Sequence, residues 1–170
     1  MDLRATILKE HSKKNCDKIV NWVGQNQLRF DELFQLFLHD EYRVVQRAAW
    51  PMSYLAIAHP PLIKKHFSKL IHYLHQQHIH DAVKRNTLRL LQEIPIPEKF
   101  HGEIMNTCFD YIISPTEKAA IKAFSLTVLH NLSQQYPDIK QELKTIIVDR
   151  WDFETAAFHS RAKKILKAIG

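Results

Sequence analysis

The chain has 170 residues, of which 45% are hydrophobic and 25% charged, and this size suits one domain with a continuous core. Its net charge of +6 permits an acidic partner without requiring one. Its most apolar stretch, 48–63, is broken by three prolines and is too short to form a membrane-spanning helix. Two distant cysteines, Cys16 and Cys108, exclude the disulfide-rich class, so we expect buried thiols in a reducing compartment. The N-terminal residues lack the apolar run of a signal peptide, so we expect a soluble cytoplasmic protein.

Residues 1–26 form the first predicted element, and they follow the repeating pattern described below only poorly. Leu8, Ser12, Cys16 and Ile19 give a degraded version of it. The ends of a helical stack need polar outer faces that shield the core from water. We therefore predict that residues 1–26 form an N-terminal cap of two helices.

From residue 28 onwards an apolar spacing returns every 37 to 38 residues, which is typical of stacked helical hairpins. We call the apolar positions of the first helix in each hairpin the first-helix set. Its members are Phe30, Leu33, Phe34 and Phe37, then Phe67, Leu70, Ile71 and Leu74, then Met105, Cys108, Phe109 and Ile112, then Leu143, Ile146 and Ile147, with Arg150 breaking the pattern at its last place.

A second apolar spacing with the same period lies between these positions, and we call it the second-helix set. Its members are Val45, Ala49, Met52, Ser53 and Ala56, then Val83, Thr87, Leu90, Leu91 and Ile94, then Ile121, Ser125, Val128, Leu129 and Leu132, then Phe158, Ala162, Ile165, Leu166 and Ile169. Together the two sets predict a single domain, 1–170, with repeats at about 28–58, 60–95, 97–134 and 137–170.

The prolines and polar residues between the apolar sets predict where helices begin. Pro60 and Pro61 are expected to open the helix that carries Phe67 to Leu74, because proline is favoured at the first helical position. Pro51 falls inside a predicted helix, where it removes one backbone hydrogen bond and should bend the axis.

Capping residues support the same boundaries. Asp40 and Asp81 are suited to cap the second helices of the first two repeats. Ser114 and Glu117, separated by Pro115 and Thr116, have the capping-box spacing that satisfies free backbone N–H groups at a helix start.

The segments 45–49 and 83–87, which follow Asp40 and Asp81 and carry Arg47 and Arg85, resemble those of HEAT or HEAT-like repeats, and the resemblance covers residues 28–170. It implies an all-α fold, a right-handed alpha-alpha superhelix (alpha-solenoid) of about four helical hairpins behind the N-terminal cap. Tetratricopeptide repeats have a shorter period, about 34 residues, and a different signature.

In proteins of this kind the second helices usually line the concave face that binds partners. At 100° per residue, three positions of each second helix point away from the core, and they carry basic and polar residues without a carboxylate. Adding Trp50, which flanks this face and suits an interface anchor, we predict these binding residues: Arg47, Trp50, Tyr54, Arg85, Arg89, Gln92, His130, Lys164 and Lys167.

The predicted function is therefore a non-enzymatic scaffold that binds a protein partner with an acidic surface. The alternative is nucleic-acid binding through phosphate contacts along the same face. DNA glycosylase activity of the HEAT-like type is a further alternative, although the nearest tryptophan and acid pair, Trp151 with Asp149 or Asp152, falls outside this face. A second copy of the chain is a third candidate partner, and the oligomeric state is open.

The sequence gives little evidence of metal binding or catalysis. Residues 72–80 contain four histidines, and His72 and His75 could share a metal ion, but a solvated polar edge explains them better, so we predict no metal site. No phosphate-binding glycine loop, metalloprotease motif or nucleophile elbow is present. We therefore predict no catalytic residue and no cofactor.

Overall fold

The computed structural model describes residues 1–170, which form α-helices and short 3-10 turns and contain no strand. The all-α prediction is confirmed. The handedness of the superhelix and the number of hairpins stay predictions, as does the single domain. The helices group into two compact units, Met1–Ile94 and Pro95–Gly170.

The first unit contains seven helices. They are α1 (Leu3–Lys9), α2 (Lys13–Val23), α3 (Gln27–His39), α4 (Tyr42–Ala58), α5 (Pro61–Lys64), α6 (Phe67–Leu74) and α7 (Asp81–Glu93). The central helix is α4, which packs against α3 on one side and α7 on the other and is also contacted by α1 and α2.

The second unit contains four helices and two 3-10 turns. They are a turn at Glu98–Phe100, α8 (His101–Ile113), α9 (Ala119–Ser133), α10 (Ile139–Arg150), a turn at Trp151–Phe153 and α11 (Ala156–Ile169). Here α9 is central, because it packs against α8, α10 and α11.

The cores of both units are built from the two apolar sets. Every member of the first-helix and second-helix sets is buried except Met105, Ile146, Leu166 and Ile169, which are half-buried. A helix that places apolar residues on one stripe gains about 25 cal/mol for each Å² of that stripe removed from water. The repeated spacing therefore determines which side of each helix faces inward.

Burial also sets the protonation state of the two cysteine thiols. Cys16 and Cys108 are free and buried, as predicted. Loss of water around the sulfur raises the pKa of each thiol to about 12, so both remain protonated at neutral pH.

One predicted helix is interrupted. Pro61 opens α5 as expected, but that helix ends at Lys64 and a new one begins at Phe67. At the break His66 turns into the protein, where its ring stacks on Phe34 with centroids 4.3 Å apart. Its Nε2 lies 2.6 Å from Asp31 Oδ1, so a contact with α3 fixes the break.

The predicted caps of α4 and α7 are wrong by one residue. The N-cap of α4 is Glu41, while Asp40 forms two hydrogen bonds with Arg4 of α1, at 2.8 and 2.9 Å. The N-cap of α7 is His80, whose Nδ1 accepts the N–H of Ala82 at 2.8 Å. A long-range ion pair and a histidine acceptor thus replace the expected carboxylate caps.

The capping box predicted at Ser114 does not form. Ser114 ends α8, residues 115–118 form a turn, and α9 begins only at Ala119 after Lys118. Ser114 Oγ instead accepts the N–H of Thr116 at 3.4 Å, a local turn contact that competes with helix formation.

A buried ion cluster lies in the second unit. Lys122 Nζ lies 2.6 Å from Glu154 Oε1, and the side chains are only 3% and 5% exposed. Arg150, the residue that breaks the first-helix set, donates to the same oxygen through Nε at 3.0 Å and Nη2 at 2.9 Å. The irregular last position of α10 therefore supplies a partner for a buried carboxylate.

Candidate binding site

A cavity of about 290 Å³ lies in the first unit, on the side of α4 and α7 that faces away from their apolar sets. Its lining residues are Gln46, Trp50 and Tyr54 of α4, Ala82, Arg85, Asn86 and Arg89 of α7, and His11 between α1 and α2. We call this space the α4–α7 cavity. Four of the predicted binding residues meet there.

Helical geometry explains why these residues share one space. On α4 the lining residues are four apart, and on α7 Ala82 and Arg89 each lie three or four positions from the adjacent pair Arg85 and Asn86, which places each group on one side of its helix. Because α4 and α7 pack side by side, the two groups face a common opening. His11 also lines it.

Aromatic rings form one wall of the cavity. The rings of Trp50 and Tyr54 lie 6.1 Å apart between centroids, nearly perpendicular at 78°. His11 also contacts Trp50, with ring centroids 5.5 Å apart. All three rings retain some exposure, so they offer an apolar surface to a bound group.

Arg89 is held in place on the opposite wall. Its Nη1 donates to Asn86 Oδ1 at 2.8 Å, and its guanidinium carbon lies 5.9 Å from the centroid of the Tyr54 ring. Asn86 is itself fixed, because Ser53 Oγ donates to the same oxygen and Asn86 Nδ2 donates to Ala82 O at 2.7 Å. Since Asn86 is 2% exposed, Arg89 is anchored to a buried amide that is itself hydrogen-bonded.

Arg85 lies one turn before Arg89 and is arranged differently. Its side chain is exposed and forms no hydrogen bond or ion pair within the chain. None of the residues lining the cavity is Asp or Glu. The cavity therefore carries two positive charges without an acidic residue in its wall, which favours an anionic ligand.

Two other predicted residues of the first unit lie outside the lining. Arg47 Nη1 donates to Leu8 O at 2.7 Å and to Ile7 O at 3.4 Å, so its charge satisfies carbonyls at the end of α1. Gln92 is half-buried on α7, beyond Arg89. For Arg47 the structure provides a structural role that sequence reasoning missed.

The predicted residues of the second unit have a different setting. His130 is half-buried on α9, and its Nδ1 is buried without a hydrogen-bond partner. Lys164 and Lys167 are exposed on α11 and form no ion pair within the chain. Their role in binding stays a prediction.

Four lining residues escaped the sequence analysis: Gln46, Ala82, Asn86 and His11. Gln46 and Asn86 lie at the flanks of their helices, between the core side and the predicted binding face, where a helical projection is least decisive. Asn86 did carry a signal, because a polar residue directly before the core position Thr87 requires a hydrogen-bond partner if buried. His11 carried none, since its contact with Trp50 spans 39 positions of the sequence.

The histidine-rich segment 72–80 lies elsewhere in the first unit. His72 borders a second cavity, about 420 Å³, between α3 and α6, together with His39 and Tyr73. Nowhere in residues 1–170 do three His, Cys, Asp or Glu side chains come together as metal ligands. No helix is long and apolar enough to span a membrane.

Comparison with known proteins gives one match. A family model described as a HEAT repeat domain matches residues 3–169. No curated protein and no solved structure shows significant similarity to the chain.

Proposed function

Because the chain belongs to the HEAT repeat family, whose members often mediate protein interactions, we propose that it is a non-enzymatic scaffold that binds an acidic protein partner through the α4–α7 cavity. The observation that carries this proposal is the charge of the cavity wall. Arg85 and Arg89 line the space, none of its lining residues is Asp or Glu, and Trp50 and Tyr54 supply the aromatic surface that interfaces favour.

The two arginines suit different parts of this task. Arg89 is oriented before binding, so little side-chain entropy is lost when it meets an anion. Arg85 is exposed and without an internal bond, so it is accessible to an approaching acidic surface. Charge complementarity of this kind raises association rates and selects against basic partners.

Nucleic-acid binding remains the alternative, because arginines and exposed aromatic rings also bind phosphates and bases. A nucleic-acid strand, however, contacts several successive phosphates along a groove, whereas Arg85 and Arg89 meet in one small cavity. A glycosylase would also need an acidic catalytic group, and none lines this space. These observations favour protein binding without catalysis.

Fluorescence anisotropy tests the proposal with defined probes. A labelled peptide rich in Asp and Glu, its Lys-rich counterpart, and single-stranded and duplex oligonucleotides are titrated with the full chain from low to physiological salt. We expect the acidic peptide to bind best, the Lys-rich peptide not to bind, and the oligonucleotides to bind weakly at low salt only.

A charge-reversed variant locates the binding. Arg85→Glu with Arg89→Glu should weaken acidic-peptide binding about tenfold or more, which corresponds to about 1.4 kcal/mol or more. Lys14→Glu with Lys18→Glu is the matched control, because it changes the same charge at the same spacing on exposed residues of α2. If both variants lose the same peptide affinity, binding depends on the net charge of the chain and not on the cavity. Tight oligonucleotide binding with a steep salt dependence would favour nucleic acid as the ligand.

A further inference from the structure

The second cavity of the first unit, about 420 Å³ between α3 and α6, is lined by polar side chains that the fold leaves unbonded. We call it the α3–α6 cavity. Six polar side chains line it, and none of them forms a hydrogen bond or an ion pair within the chain. They are His39 of α3, Ser68, Lys69, His72 and Tyr73 of α6, and Gln76 just after α6. Their donors and acceptors are therefore available to a ligand that enters the cavity.

Helical geometry and one ring contact shape the wall of this cavity. On α6 the lining residues include the pairs Ser68 with His72 and Lys69 with Tyr73, which are four apart and so share one side of the helix. The ring of Tyr73 packs edge-on against Phe37 of α3, with centroids 5.4 Å apart and planes at 78°. This contact holds Tyr73 at the boundary between the two helices.

The charge of the wall suits an anion with a single charge. Lys69 is the only Lys or Arg in the lining, it is exposed, and no Asp or Glu lines the space. The carboxylate of Asp40, next to His39 in the sequence, is occupied by two hydrogen bonds from Arg4. A carboxylate brings one negative charge and therefore matches the one ammonium group of Lys69.

Two hydroxyl groups add neutral donors for the same carboxylate. Burial raises the pKa of Tyr73, so its hydroxyl stays protonated at neutral pH and can donate a hydrogen bond. Ser68 lies directly before Lys69 in the first turn of α6. A carboxylate has about four acceptor sites on its two oxygens, so it can accept from an ammonium group and from hydroxyls together.

The rest of the wall suits an aromatic group. Three rings line the space, those of His39, His72 and Tyr73, and Leu38 adds an aliphatic side chain. Aromatic rings favour offset or edge-to-face contacts with one another. The volume of about 420 Å³ lies within the range of small-molecule pockets, about 300 to 1,000 Å³.

We propose that the α3–α6 cavity binds a small aromatic carboxylate, with Lys69, Tyr73 and Ser68 on its carboxylate and His39 and His72 beside its ring. No residue lines both this cavity and the α4–α7 cavity, so the proposal does not depend on partner binding at the α4–α7 cavity. It gives the chain a second, chemically different ligand.

Three probes of similar size test this proposal. Phenylacetate, phenylethanol and phenylethylamine share an aromatic ring and differ in the charge of the attached group. Each is titrated into the isotope-labelled full chain, and the backbone amide signals of residues 38–39 and 68–76 are followed by NMR. We expect phenylacetate to shift these signals and saturate in the millimolar range, about tenfold more tightly than phenylethanol, and phenylethylamine not to bind.

Two variants and a control locate the binding. Lys69→Gln should reduce the affinity for phenylacetate to that for phenylethanol, and it should fold normally because Lys69 is exposed and unbonded. Tyr73→Phe keeps the ring against Phe37 and should weaken phenylacetate binding more than phenylethanol binding. Lys64→Gln, an exposed position of α5 outside the lining, should bind like the unmodified chain.

The proposal fails if phenylacetate causes no saturable shift at these amides, or if it binds no more tightly than phenylethanol. Unchanged phenylacetate affinity in Lys69→Gln would also overturn it. If the Asp- and Glu-rich peptide shifts the same amides and displaces phenylacetate, the cavity belongs to the protein partner and the small-molecule proposal is wrong. Each of the first three results leaves acidic-partner binding at the α4–α7 cavity in place, because that binding is measured with Arg85 and Arg89.

Discussion

Arg89 Nη1 lies 2.8 Å from Asn86 Oδ1, so the position of a half-exposed cation depends on a buried neutral amide. Asn86 in turn is bonded to Ser53 of α4 and to the backbone of its own helix. The cavity arginine is therefore connected to the packing of α4 against α7. This connection makes the first prediction possible.

Asn86→Ala should weaken acidic-peptide binding and also lower stability. It removes the Asn86 acceptor of Arg89 and leaves Ser53 Oγ without one of its partners, and a lost hydrogen bond of this kind costs about 1–3 kcal/mol. Asn86→Asp keeps the acceptor but neutralises Arg89, so it should weaken binding at least as much. Peptide anisotropy and urea unfolding measure the two effects, and unchanged binding in both variants would show that Asn86 does not position the site.

Replacing Arg47 should lower stability, whereas replacing Arg85 should weaken peptide binding, although the two residues occupy equivalent repeat positions. Arg47→Ala removes the donor to Leu8 O and should destabilise the packing of α1 by about 1–3 kcal/mol without changing peptide affinity. Arg85→Ala should change stability by less than about 0.5 kcal/mol and weaken binding. Denaturant unfolding and anisotropy of both variants test this, and the reverse pattern would contradict the assigned roles.

Breaking the buried ion cluster of the second unit should lower the free energy of unfolding strongly. Glu154→Gln leaves Lys122 as an uncompensated buried charge, which should cost about 3–5 kcal/mol. The double variant Lys122→Met with Glu154→Gln should lose much less than the sum of its single changes. Thermal unfolding checks both statements. Glu142→Gln, on an exposed position of α10, is the control that should have almost no effect.

Asp31 predicts how stability depends on pH. Burial raises the pKa of its carboxyl, but hydrogen bonds from Lys65, Gln27 and His66 outweigh that effect and lower the pKa to about 2. Because this value lies below the ordinary pKa of an unfolded Asp, about 3.9, Asp31 stabilises the fold above pH 4. That stabilisation should be lost progressively as the pH falls from about 4 to 2.

Urea unfolding between pH 2 and 5 measures this dependence. Asp31→Asn should be less stable than the unmodified chain above pH 4, and the difference should shrink as the pH approaches 2. Asp149→Asn, an exposed position on α10, should follow the unmodified chain throughout. A constant difference between Asp31→Asn and the unmodified chain would contradict the role of the ionised carboxylate.

Much of the fold could be predicted because the information is local. The spacing of apolar residues within one helix determines its buried stripe, and nearly every position of the two apolar sets is buried. The same geometry placed Arg85, Arg89 and Tyr54 on the opposite side of their helices, where the structure has the cavity. Helical periodicity alone was sufficient for these residues.

The features that could not be predicted depend on contacts between distant parts of the sequence. Asp40 does not cap α4 because its carboxylate pairs with Arg4, 36 positions earlier. Arg47 donates to the carbonyl of Leu8 in α1, 39 positions earlier, a contact that helical periodicity does not reveal. A helix ends near His66 because Asp31 of α3 holds that ring. A single sequence gives the identity of such residues but not which of them meet.

The most direct measurement of the central claim follows the side-chain Nε–Hε NMR signals of the arginines while the acidic peptide is added to the full chain. We predict that the signals of Arg85 and Arg89 shift and saturate with the peptide, at the affinity found by anisotropy. The signal of Arg43, an exposed arginine of α4 outside the cavity lining, should stay in place. Peptide binding that leaves Arg85 and Arg89 unchanged would contradict the assignment of the α4–α7 cavity as the binding site.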